Sequence, residues 1–151
     1  MKKDIKPWAL VAINASALFY LSSQPAEQSR EISGQVTDLV MDSIEQIAPN
    51  YHEELNYRDV HRQVRKSSHY VLYLMLGYLV SHALRKNGHE NVSHAFLMCV
   101  AIAMLDESLQ NLAPGRSAEI NDVFIDSLGA ATGITLNRFI DSEEKPKILI
   151  K

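Results

Sequence analysis

Four apolar runs separated by polar connections set the pattern of this chain. The first is PWALVAINASALFYL, residues 7–21, broken only by Asn14 and Ser16 and bounded by Trp8 and Tyr20, residue types that favour membrane–water interfaces. The second is HYVLYLMLGYLVSHAL, the apolar end of a long helical pattern over 57–86 whose beginning is charged. A third fills 92–105, and a fourth follows the turn at Pro114-Gly115. Between the first and second runs, Ile32, Val36, Leu39, Val40, Ile44 and Ile47 recur at steps of three and four. This predicts an amphipathic helix ending near Pro49, placed either on a membrane surface or over a groove. The expected fold is all-α: a polytopic membrane helical bundle of about four spans, near 7–24, 69–85, 92–110 and 119–138, plus the amphipathic helix. One domain covers 1–140, and 141–151 is a charged tail.

Two features oppose a membrane reading. The apolar share of 46% and the mean hydropathy of -0.11 are ordinary for a water-soluble protein, and each run reaches span length only by taking in polar residues at its ends. A soluble four-helix module is therefore one alternative. A second concerns only the N-terminus, where a basic start and a short apolar run also describe a signal peptide; the polar SSQPAEQ that follows lacks a small-x-small cleavage pattern.

Alternating spans bring the unusual polar residues together. The end of the first run (Ser22, Ser23, Gln24), the start of the second (Lys66, His69), the end of the third (Asp106, Glu107, Gln110) and the start of the fourth (Arg116, Asp122, Asp126) then share one face. Lys66, His69, Tyr73 and Gly77 follow one helical stripe, and Asp122, Asp126, Gly129 and Gly133 another. Gly129 and Gly133, four apart, permit close approach of a neighbouring helix. Ser117 is placed as the N-cap of the fourth run, with Glu119 in its first turn. Lysines and arginines number nine at the opposite face and six at the polar face, so the positive-inside rule puts both termini in the cytoplasm and the polar face outside. Charges at bilayer depth must pair or line a cavity, and the acid surplus over Lys66 and Arg116 leaves room for a cation, a proton or a cationic part of a ligand.

Charge and composition exclude other classes. With 15 Lys+Arg against 18 Asp+Glu the net charge is -3, which gives no basic surface for nucleic acid. A lone cysteine, Cys99, leaves no internal disulfide framework and reads as a packed small hydrophobe. No nucleotide loop, HExxH or GxSxG occurs, and the six histidines show no ligand-pair spacing, so neither a cofactor nor a metal is assigned; His82, His89 and His94 are read as structural or surface residues.

The ordered set Lys66-x-x-His69-x-x-x-Tyr73, Asp106-Glu107-x-x-Gln110, Pro114-Gly115-Arg116, Asp122, Gly129 and Gly133, with Ser22-Ser23-Gln24 after the first run, resembles the VanZ-like family. Asp126 departs from it, since that family often carries Asn there, and the runs are weakly hydrophobic. The resemblance implies a small polytopic membrane protein of bacteria, in a family whose founding member is associated with low-level resistance to the lipoglycopeptide teicoplanin. Two functions compete. In the first, a non-enzymatic protein in the lipid bilayer binds a lipid-linked or peptidoglycan-related envelope component, Lys66 and Arg116 meeting an anionic group. In the second, a membrane enzyme uses Asp106 or Glu107 as general base, His69 as acid or shuttle and Arg116 to stabilise charge; there the paired acids could also hold a divalent metal with His69.

Overall fold

The computed structural model describes residues 4–48, 50 and 55–144, with side chains described to 141. Ile148-Leu149-Ile150 and most of the tail lie outside the described residues. Among those described, the chain is all-helical, with five long helices. They are α1 (Lys6–Ser22), α2 (Ala26–Ile47), α3 (Tyr57–Lys86), α4 (Val92–Leu112) and α5 (Ile120–Glu144).

Local chemistry sets the helix ends. Pro7 opens α1, where its missing N–H costs nothing. The side chains of Asn56 and Asn91 cap α3 and α4, accepting from the N–H groups of Arg58 and Ser93 at 2.9 and 2.8 Å. Gly88, at φ 81, lets the chain leave α3 in the left-handed region. Helix α5 starts at Ile120, two residues beyond the start that a Ser117 cap implies, because the Glu119 N–H donates to the Glu107 carboxylate on α4. It also runs past 138 to Glu144, and Asp141 pairs with Arg85 of α3.

α3 is the hub, contacting every other helix, and its most extensive partner is α5. The two run parallel and in register, from Lys66 against Asp122 at one end to Arg85 against Asn137 at the other. Small residues bring them close. Gly77 lies against the Ala130 backbone, and Gly129 and Gly133 against the backbone of Tyr70, Leu74 and Tyr78. The core between the helices is narrow and rich in small side chains: Ala83, Ala95, Cys99, Ala103 and Ala130, with Leu18, Tyr73, Leu76, Val80 and Ile134.

Polarity is distributed unusually. Asp106 and Asp126 are 0% and 1% exposed, while Phe124 and Leu97 are 66% and 61% exposed. The outward faces of α4 and α5 carry Leu97, Met104, Leu105, Phe124, Leu128, Leu136 and Phe139. Among the described residues one helix, α4, is long and apolar enough to cross a membrane by length and composition.

Candidate functional site

The polar residues that alternation brings to one face do meet at one end of the bundle. α3 supplies Lys66, His69 and Tyr73, α4 supplies Asp106, Glu107 and Gln110, and α5 supplies Asp122 and Asp126. The pairs follow the parallel register of α3 and α5. Lys66 Nζ stands 3.8 Å from Asp122 Oδ1, and one turn deeper His69 Nδ1 stands 3.7 Å from Asp126 Oδ1. Tyr73, one turn deeper still, is fully buried with its hydroxyl beside Asp106. Gln110 is buried too and donates to Asp106 Oδ2 at 3.5 Å.

Arg116 is anchored within the protein. Its guanidinium donates to the carbonyls of Leu21 and Ser22, both at 3.2 Å, and to Gln110 Oε1 at 2.8 Å. It thereby ties the α4–α5 turn to the C-terminal carbonyls of α1, at a helix end where carbonyls need partners beyond the helix itself. The Ala26 N–H adds a second tie by donating to the Pro114 carbonyl at 3.0 Å. Burial pushes the Arg116 guanidinium below its ordinary value, and Arg65 adds to this, but the group remains a cation. Glu107 is likewise engaged through its contact with the Glu119 N–H at the start of α5, where a carboxylate is favoured.

Between α3 and α5 a cavity of about 390 Å³ opens, with Arg62, Arg65, Lys66 and His69 on one wall and Glu119, Asp122, Ile125 and Asp126 on the other. Arg116 and Glu107 are not among its lining residues. A second, mainly apolar cavity of about 110 Å³ lies among α1, α2 and α3, lined by Leu18, Leu21, Ile32, Val36, Leu72 and Arg116 among others. Arg65 and His69 line both. α2 therefore forms a wall beside the polar end while keeping much of its own apolar stripe exposed, including Leu39 and Ile47.

Ser22, which the order of the helices brings to this face, is buried at the end of α1. Two contributors escape a reading by residue type alone. Arg65 reaches Gln110 Oε1 at 3.5 Å and bridges the two cavities, but in sequence it is one of several charges opening α3. Glu119 becomes a lining residue because α5 starts at Ile120. His82 stacks on Tyr78 at the opposite end, and His89 and His94 are exposed. Gly77, Gly129 and Gly133 stand at the helix contact and not at the cavity.

No curated protein and no solved structure matches the chain. The family model described as VanZ/LLP1 matches residues 8–141, a span that takes in every side chain placed at the polar end, so the chain belongs to the VanZ/LLP1 family.

Proposed function

We propose that this protein is an integral membrane protein of the bacterial cell envelope, with four spans (α1, α3, α4 and α5), both termini cytoplasmic and its polar end outward. There it binds the head group of a lipid-linked or peptidoglycan-related component and lowers sensitivity to teicoplanin-type lipoglycopeptides. The observation that carries the reading is the adjoining pair of cavities. One is charged, one is apolar, and Arg65 and His69 line both. This pairing suits an amphiphile whose anionic head meets Arg62, Arg65 and Lys66 while its chain follows α1 and α2. The inverted polarity of the bundle supports the bilayer as its solvent. In water, exposed Phe124, Leu128 and Leu136 on one helix would form a large apolar patch, whereas in lipid they need no partner. Asp106, Gln110 and Asp126 are then buried in protein, as polar and ionisable groups at membrane depth must be.

An alkaline carbonate wash of membranes tests the first half, and teicoplanin sensitivity the second. The protein is expected to stay in the pellet, and Asp122→Ala is expected to raise sensitivity while still reaching the membrane. Release into the supernatant contradicts the membrane assignment. Unchanged sensitivity on deletion of the whole gene contradicts the antibiotic role in that host.

A further inference from the structure

Three potential ligating groups of the polar end, His69, Asp106 and Asp126, each come from a different helix. One ligating atom of each lies within 4.8 Å of the other two. The carboxylates are buried to 0% and 1% exposure, yet Asp106 Oδ1 and both oxygens of Asp126 have no hydrogen-bond partner. His69 Nδ1 is also buried without a hydrogen bond. The surrounding cations are directed elsewhere: Arg116 to Gln110 and the α1 carbonyls, Arg65 to Gln110, and Lys66 to Asp122. Two more oxygens point the same way. The hydroxyls of Tyr73 and Ser22, on side chains 0% and 1% exposed, both stand beside Asp106 as hydroxyl donors facing its carboxylate.

Unpaired buried polar groups are costly, and Asp126 keeps both oxygens without a hydrogen bond. Here two acceptor carboxylates and an imidazole face one space. We propose that His69, Asp106 and Asp126 hold one divalent transition-metal cation, Zn²⁺ or Mn²⁺, with the Tyr73 and Ser22 hydroxyls beside it. One imidazole nitrogen and two carboxylate oxygens match the mixed donors these ions take, whereas Mg²⁺ and Ca²⁺ favour oxygen alone. Bonds of about 2.0–2.2 Å require the three side chains to close together. Glu107 is outside the set because its carboxylate faces the α5 N-terminus. His69 and Asp126 line the larger cavity, so the ion offers its open positions to an anionic head group entering there. The inference deepens the reading of this end as a binding chamber and rests on it, but metal loading is measured without any envelope ligand.

The test uses the full chain purified in detergent, stripped with chelator, incubated with Zn²⁺ or Mn²⁺, desalted and assayed for metal by mass spectrometry. Wild type is expected to keep about one equivalent, and Asp106→Asn, Asp126→Asn and His69→Gln at least about tenfold less. Glu45→Gln, on the exposed face of α2, is expected to load like wild type. Elution position and helical circular dichroism show that the near-isosteric variants are folded. As a second readout, the metal is expected to raise the melting temperature of wild type and leave that of Asp126→Asn unmoved. Folded wild type that keeps less than about a tenth of an equivalent overturns the proposal, as does equal loading of wild type and Asp126→Asn. Normal loading in a strain whose deletion leaves teicoplanin sensitivity unchanged keeps the metal site and removes only the antibiotic role.

Discussion

Gly133→Ala probes the contact on which the polar end depends. A Cβ there would press into the Leu74 carbonyl oxygen and lie 2.8 Å from the Tyr78 nitrogen and 2.9 Å from the Leu74 carbonyl carbon. Carbon atoms settle at about 3.5–4.0 Å from their neighbours, so α3 and α5 must part by about 1 Å at this level. The obstacles are helix backbone and cannot rotate aside. A gap of 0.5–1 Å forfeits roughly a quarter to a half of each dispersion contact along the seam. Overpacking of this kind costs about 1–3 kcal/mol, and the backbone obstacle puts Gly133→Ala in the upper half, about 2–3 kcal/mol. For a chain of this size that lowers the melting temperature by about 4–12 °C. The His69–Asp126 approach, at 3.7 Å across the same seam, lengthens with it. Gly34→Ala is the control. Its Cβ would meet only the Tyr57 hydroxyl, at 3.8 Å, and it gains helix propensity of up to about 1 kcal/mol. The assay is size-exclusion recovery after heating in detergent. Melting of Gly133→Ala within about 1 °C of wild type, or equal destabilisation by Gly34→Ala, would refute the close-packing argument.

Two smaller perturbations follow from the same geometry. Arg116→Lys keeps the charge but loses the planar fork that reaches three oxygens, so stability falls by about 1–3 kcal/mol in the same thermal assay. A double-mutant cycle of Lys66→Met and Asp122→Asn should give a coupling of only about 0.2–1 kcal/mol, because the pair stands 3.8 Å apart with Lys66 partly in solvent.

Much of this arrangement is legible in the order of the residues. Strict alternation of helices sends every other helix end to one side, so the meeting of Lys66, Asp106 and Asp122 follows from connectivity once four helices are recognised. The extent of α3 follows from an unbroken pattern between Asn56 and the Asn87-Gly88 stop. Depth is what the order of residues leaves open. Asp122 and Asp126 look equivalent in sequence, yet one meets a lysine near the rim while the other is buried against His69. That difference arises from the parallel register of α3 and α5, which local sequence does not encode. Arg116 was legible as a charge in the right place, but its partners are backbone carbonyls of α1, which carry no sequence signature. The start of α5 was misplaced for a similar reason: a tertiary contact from Glu107 stands where a local cap was expected. The weak apolar character of the runs reflects the polar residues they carry, and among the described residues it leaves α4 alone in meeting a span's length and hydropathy.

The central claim is that the polar end opens outside the cell in a membrane-embedded bundle. Cys99 is buried, so single cysteines placed elsewhere report position cleanly. Glu119→Cys, at the cavity, and Lys86→Cys, at the far end of α3, would be exposed on intact cells to a maleimide that cannot cross the membrane. The account predicts labelling of the cysteine at 119 in intact cells, and of the one at 86 only after permeabilisation. The reverse pattern, or protection of both until lysis, would contradict it.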